Sequence, residues 1–161
     1  GFNNNFTWGR FNLNVFFQWS YGNDVMNANR IYLEGNQTNR PALNQFKSYA
    51  DRWTPENSDS KMFRAGGQGP VGFYSSRTLE DGSFLRLKTL QLSYNLSARA
   101  CRYIGVQNLS VYVSGQNLFT WTDYSGMDPE VSVRNSALTP GFDYSAYPRS
   151  RTYVFGVKVT F

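Results

Sequence analysis

Between Arg151 and Phe161 the chain reads RTYVFGVKVTF, with Tyr153, Phe155, Val157, Val159 and Phe161 apolar at every second position. Thr152, Gly156, Lys158 and Thr160 stand between them, and only Val154 breaks the polar set. Successive side chains of a strand point to opposite faces, so this period of two predicts a strand over 151–161 with one oily face. The same pattern predicts a first strand over 1–8, where Phe2, Phe6 and Trp8 alternate with Asn3, Asn5 and Thr7 and Asn4 interrupts the apolar face. Gly9-Arg10 reads as a tight two-residue turn. A second strand, 11–22, sets Phe11, Leu13, Val15, Phe17, Trp19 and Tyr21 against Asn12, Asn14, Phe16, Gln18 and Ser20.

A third strand, 84–96, has Leu90, Leu92, Tyr94 and Leu96 on one face, but Arg86 and Lys88 share their parity. Either the apolar stretch ends near Leu90, or a bulge shifts the register so that Leu85 and Leu87 join it. A fourth strand, 107–121, starts with Leu109, Val111 and Val113 and runs through Gly115, Asn117 and Phe119 to Trp121. From Gly22 to Gly82 the alternation stops. There Pro41 is placed to open a short helix carrying Ala42, Phe46, Tyr49, Ala50 and Trp53, followed by DRWTPENSD and the glycine-rich RAGGQGPVG. Residues 97–105 read as a compact turn, and 122–150 as a second long loop.

Strands of this length suit a tilted membrane crossing, which needs roughly 9–11 residues. The apolar face of 11–22 carries no charge, as lipid contact requires. Trp19 and Tyr21 sit at its end, where a membrane interface favours amphipathic rings. The mean hydropathy of −0.51 is no objection, because a barrel strand shows lipid only at every second residue. Connections at one end, 9–10 and 97–106, are short, and those at the other, 23–83 and 122–150, are long. Outer-membrane barrels have this asymmetry, with short periplasmic turns and longer extracellular loops. The reading is therefore all-β, about five antiparallel strands of a large transmembrane barrel with two long extracellular loops. Five strands cannot close, since about eight are needed to enclose even a packed interior. Open edges in lipid are not viable, so the chain is expected to be part of something larger.

Composition removes other classes. The net charge of +5 is spread as single Arg and Lys residues, so no nucleic-acid patch is expected. There is no His, and the single Cys101 permits neither an internal disulfide nor a cysteine zinc site. Asp128 and Glu130 are two apart, but no nucleophile motif or metal cluster accompanies them; neither catalysis nor a cofactor is expected. The competing reading is a secreted β-sandwich that binds glycans, which needs the apolar faces to pack on one another about 10 Å apart.

Three stretches carry a family resemblance: DRWTPENSDSKMFRA (51–65), DGSFLRLKTLQLSYNLS (81–97) and VYVSGQNLFTWTDYSGMDPEVS (111–132) followed by GFDYSAYPRSRTYVFGVKVTF. They resemble the C-terminal part of SusC/RagA-type TonB-dependent transporters, over essentially the whole chain. Ser97 stands where that family often has Pro. The resemblance implies a plugged barrel in the outer membrane of a Gram-negative bacterium, with residues 1–161 as its C-terminal segment and the plug elsewhere. It implies TonB-energised import of oligosaccharides or peptides, with a SusD-like surface lipoprotein as partner. The rest of the barrel, its plug, membrane lipid and, through the N-terminal part, the TonB complex are the other expected partners.

Tyr153, Phe155, Val157, Val159 and Phe161 then resemble the signal read by the outer-membrane assembly machinery, besides forming a closing strand. Asn12, Asn14, Gln18 and Gln116 are candidates to face the lumen. In the loops, Asp128, Glu130 and Asp143 lie near Tyr124, Tyr144 and Tyr147 in sequence. Such carboxylates can bind sugar hydroxyls or a hard cation, and such rings can stack on sugar faces, although DPE and DYSAYP also read as turn chemistry. Trp53 is a candidate for loop packing or partner contact.

Overall fold

A computed structural model describes residues 1–35, 42, 44–65, 75–132 and 140–161. In chain order the strands are β1 (Phe2–Trp8), β2 (Phe11–Ser20), β3 (Asp24–Asn27), β4 (Leu79–Asp81), β5 (Phe84–Asn95), β6 (Asn108–Thr122), β7 (Phe142–Asp143) and β8 (Thr152–Thr160). Two short helices, α1 (Asn29–Leu33) and α2 (Ala98–Tyr103), accompany them. The chain divides into a sheet unit (1–21, 83–123, 149–161) and a loop unit (22–82, 124–148).

The sheet unit is one antiparallel sheet in the order β1-β2-β5-β6-β8. Its register decides which residues share a face. Phe6, Leu13, Leu92, Val113 and Phe155 stand side by side across all five strands. Trp8, Phe11, Tyr94, Val111 and Val157 make the next apolar row. On the opposite face run Asn5, Asn14, Gln91 and Ser114, then Thr7, Asn12, Ser93 and Tyr112. Each strand's alternation is thus locked in phase with its neighbours, because a slip of one residue would invert a whole face.

The open question in β5 resolves as a bulge. Phe16 pairs with Thr89 but Phe17 with Leu87, so Lys88 is the extra residue. Leu85 and Leu87 therefore join Leu90 and Leu92 opposite Trp19, Phe17, Val15 and Leu13. Arg86 leaves the apolar face and pairs with Gln18 and Thr120. The β5–β6 ladder shifts at the same place, where Asn117 takes a left-handed φ of 52°. Asn tolerates that region better than most residues, and here its Nδ2 donates to the Ser150 carbonyl at 3.1 Å.

The turn between β1 and β2 has Gly9 at φ 59°, a value its missing Cβ allows. The other short connection holds α2, whose Ser97 N-cap hydroxyl accepts from the Ala100 N–H at 3.1 Å.

The loop unit has more regular structure than its sequence predicts. It contains a second sheet in the order β4-β3-β7, with β3 antiparallel to β4 and parallel to β7. Val25, Tyr124 and Val131 form its buried core, with Ala146 packed on them. The helix expected after Pro41 is instead a 3₁₀ turn over Lys47–Asp51. Pro41 itself and most of the glycine-rich RAGGQGPVG lie outside the described residues.

Candidate functional site

The sheet unit presents two chemically opposite faces. Rows that gather Phe6, Leu92, Val113 and Phe155 leave those side chains 56, 42, 38 and 79% exposed. An apolar surface this continuous marks contact with lipid or protein rather than water. Rings cluster at its two ends: Trp19, Phe119 and Trp121 with Arg151 over Phe119 at one, and Trp8, Phe11 and Tyr94 at the other. Side chains this exposed do not form the packed interior that a sandwich requires.

The other face binds to itself through amides and hydroxyls. Asn14 Nδ2 donates to Asn3 Oδ1 at 2.8 Å and Asn5 Oδ1 at 2.6 Å, and Thr7 donates to Asn12 Oδ1 at 3.0 Å. Gln116 follows in the row of Phe16 and Thr89, so Asn12, Asn14, Gln18 and Gln116 all lie on this face. Gly156 lies opposite Tyr112, and a Cβ there would come within 2.3 Å of the ring; glycine lets the ring lie across β8. Arg86 is 2% exposed and donates from Nε to Thr120 Oγ1 at 3.0 Å. Sequence parity flagged Arg86 only as a conflict; the bulge makes it part of the polar face.

In the loop unit the candidate residues separate. Tyr124 and Asp143 come together: the phenol donates to Asp143 Oδ2 at 2.6 Å, and the residues are 5 and 2% exposed. Burial first, and then the adjacent Asp143 carboxylate, push the Tyr124 phenol well above its ordinary range. Asp128 is buried and accepts from the Glu130 N–H at 2.9 Å, the Asx-turn geometry of a DPE corner. Tyr144 is partly exposed against Tyr32, at 5.4 Å between centroids, whereas Tyr147 is 90% exposed. Trp53 is half-buried between the bridging residues Arg52 and Thr54.

A polar network that sequence spacing did not reveal ties the unit together. Glu80 Oε1 accepts from Asn27 Nδ2 and Arg30 Nη1 at 3.1 Å and from the Ser125 hydroxyl at 2.9 Å. Its Oε2 accepts the Ser125 N–H at 2.9 Å. Burial by itself raises the Glu80 pKa, but the Ser125, Arg30 and Asn27 bonds outweigh it and hold the carboxyl below its ordinary range. Glu34 joins Arg30 at 3.0 Å and Arg77 at 3.3 Å. Asn27 and Glu80 are 53 residues apart, and no local motif connects them.

No family model matches the chain. TonB-dependent receptor P26 of Formosa agariphila is 38% identical over the whole chain, and receptor P3 of the same organism 36%. The chain spans 16% of the length of each. TonB-dependent receptor SusC of Bacteroides thetaiotaomicron is 30% identical over 65% of the chain, which is 10% of SusC. Among solved structures, the RagAB peptide importer in its closed-closed state superposes on 96% of the chain with a TM-score of 0.80 and 28% identity, covering 16% of that chain. A further structure of the RagAB peptide transporter gives 0.81 at 29% identity. The chain is homologous along its whole length to a segment of the TonB-dependent receptors and belongs with the SusC/RagA-type outer-membrane transporter barrels.

Proposed function

We propose that the chain supplies one sector of the wall, and two of the surface loops, of an outer-membrane importer of oligosaccharides or peptides. Residues 1–161 form a barrel segment, while a plug and the contact with the TonB complex lie in other parts of the receptor. Import is energised through TonB, and a SusD-like lipoprotein works with the barrel at the surface of a Gram-negative cell. The observation that carries this reading is the apolar face, continuous across five strands and backed by an amide-rich polar face. The first suits lipid, and the second suits a plugged or hydrated lumen.

In this reading Asn12, Asn14, Gln18 and Gln116 face the lumen. Tyr153, Phe155, Val157, Val159 and Phe161 serve the assembly machinery. Tyr147, Tyr144 and Trp53 are the loop side chains left with surface for cargo or the lipoprotein, and Tyr124, Asp128 and Asp143 hold the loop in shape. Uptake by cells carrying the whole receptor tests the function. Labelled oligosaccharides or labelled peptides should accumulate, and accumulation should vanish when either the receptor or TonB is deleted. Uptake of both classes unchanged by either deletion would refute it.

A further inference from the structure

Charge is divided unequally along the sheet unit. No acidic residue precedes Asp24, follows Asp143 or stands between Asp81 and Asp123. Asp123 is therefore the sheet unit's only acid, and it lies just past Thr122, at the end of β6 that leads into the second long connection. The opposite end, where the short connections lie, carries cations alone. Arg10 stands in the β1–β2 turn, and its carbonyl accepts the Asn95 N–H at 2.9 Å, so this turn lies against the end of β5. Two residues beyond Asn95, Ser97 caps α2. In α2, Arg99, Arg102 and Tyr103 are spaced i, i+3 and i+4 and so share one face. That face points outward: Arg99 and Arg102 are exposed, as is Arg10, and Tyr103 is 93% exposed, whereas Cys101 turns inward at 2%.

The apolar face of the sheet ends at the same level. Trp8 and Phe11 lie 6.5 Å apart and Phe11 and Tyr94 4.8 Å apart, forming the last aromatic row before the two short connections. Trp and Tyr favour the headgroup level of a membrane. Arg10 adjoins Phe11 in the chain, and an arginine there can lay its methylenes on apolar surface while its head reaches the polar layer. Guanidinium groups grip phosphate oxygens in pairs of hydrogen bonds. Cations gathered at headgroup level with no acid beside them are complementary to lipid of net negative charge.

We propose that Arg10, Arg99 and Arg102 bind anionic phospholipid headgroups of the periplasmic leaflet, with Tyr103 and the 51%-exposed Ile104 seated where headgroups meet acyl chains. The rim thereby anchors this sector of the wall at a set depth. The proposal rests on the reading of the apolar face as a lipid contact and of the short connections as periplasmic.

The test uses the whole receptor in phosphatidylcholine vesicles with a trace of photoreactive lipid, and mass spectrometry of the labelled peptides. Three probes are compared: phosphatidylglycerol and phosphatidylcholine with the reactive group on the head, and phosphatidylcholine with it in the acyl chain. Head-labelled phosphatidylglycerol should mark the peptides holding 8–11 and 98–104 roughly threefold or more above head-labelled phosphatidylcholine. The excess should vanish in about 1 M salt, where the Debye length falls to about 3 Å. It should also vanish when Arg10→Gln, Arg99→Gln and Arg102→Gln are combined, and persist when Lys47→Gln and Lys61→Gln are combined in the loop unit. Should the triple variant fail to reach the folded state, Arg99→Gln and Arg102→Gln singly should each lower the excess. Equal marking by the two heads, or an excess that the arginine variants leave unchanged, overturns the proposal. So does absence of both head labels from these peptides, since another partner then covers the rim. The acyl probe separates these failures from failure of the lipid reading itself: it should mark the peptide holding 84–95, and its absence there would overturn both.

Discussion

Leu87 stands opposite Phe17 in the β2–β5 ladder, although the neighbouring Val15–Leu90 pair would, without the bulge, have put Lys88 there. One extra residue keeps Leu85, Leu87, Leu90 and Leu92 on a common face and takes Arg86 off it. An Arg or Lys facing lipid at mid-bilayer costs about 2–4 kcal/mol, and the bulge takes Arg86 off the apolar face.

Arginine placed on the two faces of the five-stranded sheet should therefore behave differently. Leu90→Arg, in the row of Val15, is expected to destabilise the assembled barrel by about 2–4 kcal/mol, while Trp19→Arg at the end of the face costs about 0–1 kcal/mol. Gln91→Arg, on the polar face, should have a much smaller effect than Leu90→Arg. The fraction of whole receptor that runs as a heat-modifiable folded species on gels measures all three.

Tyr124 makes the loop unit sensitive to alkali. Its folded-state pKa is raised above the ordinary 10, so the folded loop keeps the phenolic proton that the unfolded loop releases. The stability it contributes is complete below pH 10 and is lost as pH rises beyond that value. Tyr124→Phe should cost roughly 1.5–3 kcal/mol, the usual range for a hydrogen bond to a charged group, and should flatten the alkaline dependence. Rates of limited proteolysis within 22–82 and 124–148, from neutral pH to above 10, give the readout.

Acid should act through Glu80. Its folded-state pKa lies below the ordinary 4.5, so its contribution is present above pH 4.5 and is lost as pH falls below it. Glu80→Gln is expected to make the loop more susceptible to protease at neutral pH and to remove much of the further loss on acidification. The same digestion, run from pH 7 to below 4.5, checks this.

The two units differ in how much of their structure could be read from sequence. In β2 and β8 one apolar and one mostly polar face imprint a period of two over nine or ten residues, and that pattern is local. The register of β5 was not decidable, because a bulge and an early end of the apolar face leave the same residue order; only pairing with Phe17 and Phe119 separates them. In the loop unit β7 is two residues long, too short to carry any period. Its parallel partner Asn27 lies far away in the chain, so nothing near Asp143 foretold the ladder. Tyr124 and Asp143 were recognisable as loop candidates by residue type, but their bond to each other depends on that ladder.

Phe161 and its alternating partners offer a test of assembly separate from stability. Replacing Phe161 by Ser should reduce the receptor's yield in the outer membrane several-fold while leaving the surviving folded receptor as heat-stable as the natural protein. Surface yield and gel mobility after heating distinguish the two effects.

A bulge-phased sheet with one face in lipid is tested most directly by spin labels placed singly at 84–95 of β5 in the whole receptor in vesicles, with Cys101 replaced by Ser. Collision with oxygen dissolved in the bilayer should peak at 85, 87, 90, 92 and 94 and fall at 86, 91 and 93, with the phase changing at 88. An unbroken alternation through 88, or oxygen maxima at 91 and 93, would contradict it.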